Sequence, residues 1–266
     1  MGGIAVMVSI RDMNMKPRDR RLQIEDIIRT EGSASVEGLA TRFGVSTETI
    51  RRDLSHLAEA GRVMKVHGGA RCARLLSEPS MDVRAALAGA EKSRIGRRLA
   101  DAIEPGATLF IDTGSTTLAA VPALATVPGL TVITNSCRLA EALGRAGSDA
   151  SIHLLGGLYA ADNVQTVGPS VLNQIADFQA DHCVLTVAAF STGIGAMDAS
   201  HDEAQIARAM LSNARNLIVL ADSSKLDQRA AFTVCRTDRV GLLITDEGIC
   251  PAMRARLAAQ SVQVWT

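Results

Sequence analysis

Apolar positions recur at helical spacing in the first quarter of the chain and in short unbroken runs after it. Ile24, Ile27 and Ile28 share one face of "RRLQIEDIIRT" (20–30), and Glu31-Gly32 ends that helix. Ser35 is placed to cap a second helix, "VEGLATRF" (36–43). There Val36, Leu39, Ala40 and Phe43 fall at i, i+3, i+4 and i+7. Gly44-Val45 makes a tight turn, and Ser46 caps a third helix whose inward stripe is Ile50, Leu54 and Leu57, stopped at Gly61. "RVMKVHGGA" (62–70) then reads as a short strand through Val63, Met64 and Val66 with a turn at Gly68-Gly69. Three short helices followed by a small basic hairpin describe a winged helix-turn-helix.

Residues 75–90 are weakly periodic, carry Pro79 and read as a linker. Beyond them, helices such as "EKSRIGRRLADAI" (91–103), "CRLAEALGRAG" (137–147) and "EAQIARAMLSNA" (203–214) alternate with apolar runs. The runs are "ATLFID" (107–112), "LTVITN" (130–135), "SIHLLGG" (151–157), "HCVLTVAAF" (182–190), "NLIVLADSS" (216–224), "VGLLITD" (240–246) and "VQVW" (262–265). Continuous apolar strands alternating with helices predict an α/β domain with a mostly parallel sheet covered on both faces.

Composition adds a division of labour. Formal net charge is zero over 266 residues. Residues 16–74, however, hold 12 Lys/Arg against 8 Asp/Glu, a net of +4, and residues 75–266 hold 15 against 19, a net of −4. A basic head on an acidic body implies two tasks. The five cysteines form no C-x-x-C pair, as expected of a reduced, cytoplasmic protein without a zinc site. No apolar run reaches the roughly 18 residues of a membrane span. The opening stretch "MGGIAVMVSIRDMNM" lacks a basic n-region and a cleavage site, so residues 1–16 read as a flexible tail, with Met13 or Met15 as alternative starts.

The third helix carries the first candidate chemistry. With Ile50, Leu54 and Leu57 inward, Arg52 and Ser55 point out, and Thr49 and Arg51 lie on the flanks. Outward arginines in the first half of such a helix suit guanine edges or phosphates in the major groove. Ser46 and Thr47 at its N-terminus, and Lys65 and His67 on the hairpin, complete the predicted DNA contacts. The competing explanation is a solvated helix, since Glu48 stands four residues before Arg52 in the favourable ion-pair order.

"LATRFGVSTETIRRDLSHLAEAGRVMKVHGGA" (39–70) resembles the DNA-binding head of DeoR-type bacterial transcription regulators. Here Lys65 stands near His67 where the family often has Arg, a point charge in place of a fork.

In the body, "LFIDTGSTTLAA" (109–120) aims backbone N–H groups and hydroxyls at one spot after a strand, a chemistry that suits phosphate. Polar strand ends recur at Asn135-Ser136 and in "VLADSSK", which ends on Lys225, and Gly156-Gly157 permits close backbone approach. "IDTGSTT", "TNS", "LLGG", "ADSSK" and "LITD" occur in the order of the DeoR-type sensor domain, whose fold is similar to ribose-5-phosphate isomerases and CoA-transferases. The resemblance implies a phosphate cradle at Asp112, Thr113, Gly114, Ser115, Thr116 and Thr117, with Asn135, Ser136, Gly156, Gly157 and Lys225 beside it. One departure is Ala188-Ala189, where the family tends to glycine.

The expectation is a ligand-controlled DNA-binding regulator. Its head (17–74) grips operator DNA, and its body (91–266) senses a phosphorylated sugar or related metabolite and joins copies into a dimer or tetramer. No cofactor, metal or membrane partner is expected. The alternative is a sugar-phosphate isomerase-like enzyme using Asp112, Glu203 and Lys225 for proton transfer. The acids of "SHDEAQ" (200–205) read as an ordinary helix N-terminus.

Overall fold

The computed structural model describes residues 15–31, 33–60, 62–72 and 78–266, with the backbone alone at 29, 30, 71 and 72. The tail over 1–14, the stop at Gly61 and the first part of the linker, through 77, lie outside the described residues. The chain divides into two compact units, Met1–Arg74 and Leu75–Thr266.

The first unit runs α1 (Pro17–Glu31), β1 (Ser33–Ser35), α2 (Val36–Phe43), α3 (Thr47–Glu59), β2 (Val63–Val66) and β3 (Gly69–Cys72). Ile24, Ile28, Leu39, Ile50 and Leu54 are its closed core. Both predicted caps form: Ser35 Oγ accepts from Gly38 N at 3.0 Å, and Ser46 Oγ accepts from Thr49 N at 3.1 Å. Gly44 ends α2 at φ 64°, a left-handed conformation that sets the turn between α2 and α3. The hairpin turn falls one residue earlier than predicted, at His67-Gly68. Gly69 is already paired with Val66 and with Ser35, and a Cβ there would lie 2.3 Å from the Ala34 carbonyl oxygen. That contact exists because β1, three residues too short to show a period, joins the hairpin in the order β1-β3-β2.

The second unit runs α4 (Met81–Ala86), α5 (Gly89–Ala102), β4 (Thr108–Ile111), α6 (Ser115–Leu124), β5 (Thr131–Thr134), α7 (Cys137–Arg145) and β6 (Ser151–Leu154). It continues with β7 (Leu158–Ala160), β8 (Gln165–Val167), α8 (Pro169–Ile175), β9 (Ala180–Thr186), β10 (Ala189–Ser191), β11 (Gly195–Asp198), α9 (His201–Ser212) and β12 (Ala214–Leu220). It ends with β13 (Phe232–Cys235), β14 (Leu242–Ile244), α10 (Pro251–Ala258) and β15 (Gln263–Trp265). Among the described residues seven strands form one sheet in the order β15-β14-β12-β9-β4-β5-β6, and every pairing in it is parallel. Alternate residues of β4 enter different cores: Phe110 lies with Cys183, Leu185 and Val219 on one face, and Leu109 and Ile111 lie with Val184 and Leu220 on the other. Burial on both faces is why these strands read as unbroken apolar runs.

Two expectations need correction. Within the stretch taken as a linker, α4 forms and packs on α6, with Met81 and Arg84 buried. The run "HCVLTVAAF" is not one strand. Thr186 ends β9, because its N–H turns to the Asp112 carboxylate at 3.0 Å, and β10 starts at Ala189.

Candidate functional site

In the first unit, α3 presents the predicted face. Ile50, Leu54 and Leu57 are buried, whereas Arg51 and Arg52 stand in solvent, the Arg52 side chain 78% exposed. Glu48 is shared between them, 3.5 Å from Arg52 Nε and 3.9 Å from Arg51 Nη1, loose enough to yield both guanidiniums to a duplex. The hydroxyls at the helix start are partly committed. Ser46 Oγ caps α3 and also lies 2.9 Å from Thr49 Oγ1, while Thr47 is half-buried. Lys65 is tied to α3, its Nζ donating to Ser55 Oγ at 3.0 Å, and His67 is exposed in the turn. The sequence reading missed Asp53, which is buried in α3 and accepts from Arg20 Nε of α1 at 2.6 Å. That pair ties α3 to α1 on a side of the helix away from its exposed arginines.

In the second unit, the strand-end loop expected to cradle phosphate is largely engaged with its own fold. The Asp112 carboxylate takes the Thr186 N–H and hydroxyl, and burial pushes its pKa well above the usual carboxylate range. Gly114 packs so tightly that a Cβ would lie 2.1 Å from Thr186 Oγ1. Thr117 Oγ1 donates to the Gly114 carbonyl at 2.9 Å, and Ser136 Oγ caps α7 through Leu139 N at 3.3 Å. Thr116 is buried, and Thr113 Oγ1 is buried with no partner among the described residues. Gly156 is clasped by Gln174 at 3.0 Å and 2.7 Å, and Gly157 abuts Val167 and Val171. Those two glycines serve packing against β8 and α8.

The remaining predicted residues belong to a polar network that sequence reasoning only half found. Lys92 on α5 is buried and donates to Ser115 Oγ at 3.0 Å and to the Arg84 carbonyl. Burial lowers its pKa against the opposing pull of Asp222. Lys225 Nζ donates to Glu78 Oε1 at 2.6 Å, and Glu78 also faces Arg84 Nη1 at 3.3 Å. Arg84 reaches Asn163 Oδ1 at 2.8 Å, and Asn163 Nδ2 reaches Glu203 Oε1 at 2.6 Å. Gln165 donates to the same Glu203 oxygen and accepts from Asn135 Nδ2 at 3.1 Å. The network borders a cavity of about 550 Å³ walled by Glu78, Arg84, Asn163, Gln165 and Glu203. Burial raises the Glu203 pKa, and burial with the nearby Glu203 charge raises Asp198 to about 7. Asp202 and Glu203 of "SHDEAQ" both sit in the acidic first turn of α9, as expected, and both line the cavity as well. Among the described residues no cluster of three His, Cys, Asp or Glu is arranged to hold a metal, and no helix is long and apolar enough to cross a membrane.

Comparison with known proteins matches residues 20–74 to the DeoR-like helix-turn-helix domain and residues 88–247 to the DeoR C terminal sensor domain. The chain belongs to the DeoR family. Its DeoR-family relatives include the HTH-type transcriptional repressor CsqR of Escherichia coli, 31% identical over 97% of both chains. The transcriptional repressor AccR of Agrobacterium fabrum is 34% identical over 87% of this chain and 90% of that one. The glycerol-3-phosphate regulon repressor of E. coli is 31% identical over 87% and 92%. Ribose 5-phosphate isomerase from Plasmodium falciparum overlays 52% of this chain and 53% of its own at TM-score 0.38 and 13% identity, a likeness that transfers no activity. As a DeoR-family protein the chain is a ligand-sensing transcriptional repressor, and this reading prevails over the isomerase alternative.

Proposed function

We propose that the protein represses a carbohydrate-utilisation operon in the cytoplasm and releases its operator when a phosphorylated sugar, or a related polyol phosphate, fills the cavity of the second unit. The observation that carries this reading is the two-sided chemistry of that cavity. Arg84 is the cation that lines it, with Lys225 bonded to the lining Glu78, and Asn163, Gln165 and the carboxylates Asp162, Asp202 and Glu203 supply amide and acid partners for hydroxyls. The anion would therefore sit toward Arg84 and Lys225, with Ser115 linked to the Arg84 carbonyl through Lys92.

In the head, Arg51 and Arg52 read or clamp the duplex, and Lys65 and His67 touch its backbone. One such head makes few contacts, so a homo-oligomer, dimer or tetramer, presents at least two. The protein works without catalysis, cofactor or metal. Asp112, Glu203 and Lys225 are each held by a different partner (Thr186, Asn163 with Gln165, and Glu78). Gel shift on the promoter beside its own gene, with a panel of sugar phosphates, tests the whole reading. A retarded band that one phosphorylated sugar abolishes, and its unphosphorylated parent does not, is the expected result; a band indifferent to every member of the panel contradicts it.

A further inference from the structure

Glu78 stands four positions beyond Arg74, the last residue of the DNA-binding unit, and forms the cavity wall together with Pro79 and Ser80. Its side chain, 16% exposed, lies between two cations: Lys225 Nζ at 2.6 Å and Arg84 Nη1 at 3.3 Å. Arg84 is itself a lining cation of the cavity, and Lys225 reaches it through the lining Glu78. The segment behind Glu78 is anchored chiefly through the same arginine and the start of α4. Arg84 Nε donates to the Pro79 carbonyl at 3.0 Å, and the Ser80 carbonyl accepts from Arg84 N at 2.9 Å. Past Ser80 the chain is fixed by the buried Met81. Holding Glu78 therefore holds residues 78–80, which belong to the second unit.

A phosphate group carries up to two negative charges and three acceptor oxygens, against one charge and two oxygens on a carboxylate. It would claim the same donors. We infer that Glu78 is a tethered competitor of the effector: it occupies Lys225 and Arg84 while the anion is absent, and an arriving phosphate takes both cations and frees residues 78–80. The inference rests on the reading of this cavity as the effector site. It supplies the differential contact that any ligand-driven switch requires, because the paired and unpaired forms of Glu78 differ in affinity for the anion. By reciprocity, whatever favours the paired form must weaken anion binding to the same degree.

The test uses the full chain, inorganic phosphate as the probe and isothermal titration with gel shift as readouts. Glu78→Gln keeps the shape and removes the charge. It should bind phosphate about tenfold more tightly, the equivalent of ~1.4 kcal/mol, and should grip the operator about fivefold less well with no phosphate present, the lower range of allosteric couplings. Lys225→Met should lose phosphate binding. If Lys225→Met loses the anion but Glu78→Gln binds it no better than the parent, the competitor is refuted and the effector site stands. If neither substitution alters phosphate binding, or the parent binds none, the effector site itself is wrong and the competitor falls with it. Should Glu78→Gln fail to fold by circular dichroism, Glu78→Asp withdraws the carboxylate by one methylene. A smaller tightening supports the inference, and an unchanged affinity overturns it.

Discussion

Asp198 sets a pH dependence that a single side chain can report. Its pKa is raised to about 7 by burial and by Glu203, so the folded protein binds a proton there that the unfolded chain, near the ordinary 3.8, has released. Stability from this group is complete at acid pH and falls as pH rises from about 4 to about 7, by an amount on the order of a few kcal/mol. Glu203 is shifted the same way and adds to the trend. Asp198→Asn should therefore raise the melting temperature at pH 8, raise it by less than half as much at pH 5 and leave it nearly unchanged near pH 3; a gain of equal size at every pH would show that the carboxyl is not perturbed. At the same scale Arg52 and Lys65 separate base reading from backbone contact. Arg52→Ala should cost ~1–3 kcal/mol on the operator and far less on random DNA in a competition gel shift. Lys65→Ala should weaken both alike, with an added loss from its bond to Ser55.

At the scale of the element, α3 is fixed by an ion pair and not by its apolar stripe alone. The Arg20 and Asp53 side chains are 10% and 6% exposed, so removing one leaves a buried charge without its partner. Asp53→Ala should destabilise the first unit by roughly 3–5 kcal/mol in denaturant titration, and replacing both residues with leucine should recover much of that loss. A single variant as stable as the parent would show the pair to be decorative. Elements were well legible in the sequence because amphipathic stripes and two-sided apolar runs are local properties. The residues missed share one cause. Asp53 lies three after Ile50 and Lys92 three before Ile95, each a charged group on an apolar stripe; Glu203, three before Ile206, shares the position, and the sequence reading gives it only other roles. A charge in that position advertises a buried partner, but the partner (Arg20, Ser115, or Asn163 with Gln165) lies on another element and leaves no mark in the local pattern. The strand-end hydroxyls show the opposite relation between sequence and structure. Their composition promised donors for a ligand, and caps and turns absorbed several of them.

For the molecule as a whole, the charge split of +4 and −4 predicts that operator affinity depends steeply on salt while anion binding in the second unit depends on it less, since a partly buried site is screened weakly. The logarithmic slope of operator affinity against salt should be about −0.9 per phosphate neutralised, and each of Lys65→Ala and Arg51→Ala should flatten it by about one contact. A slope near zero in filter binding would remove the duplex from the account. Gly114 has a consequence at this scale. A single methyl there strikes Thr186, whose hydroxyl and N–H both serve Asp112. If the second unit senses the effector as proposed, a cell carrying alanine at 114 would keep its operon silent in the presence of the inducing nutrient, and shaving Thr186 down to glycine, whose missing Cβ is the last of the three clashing atoms, should make room for the methyl and restore growth on that nutrient.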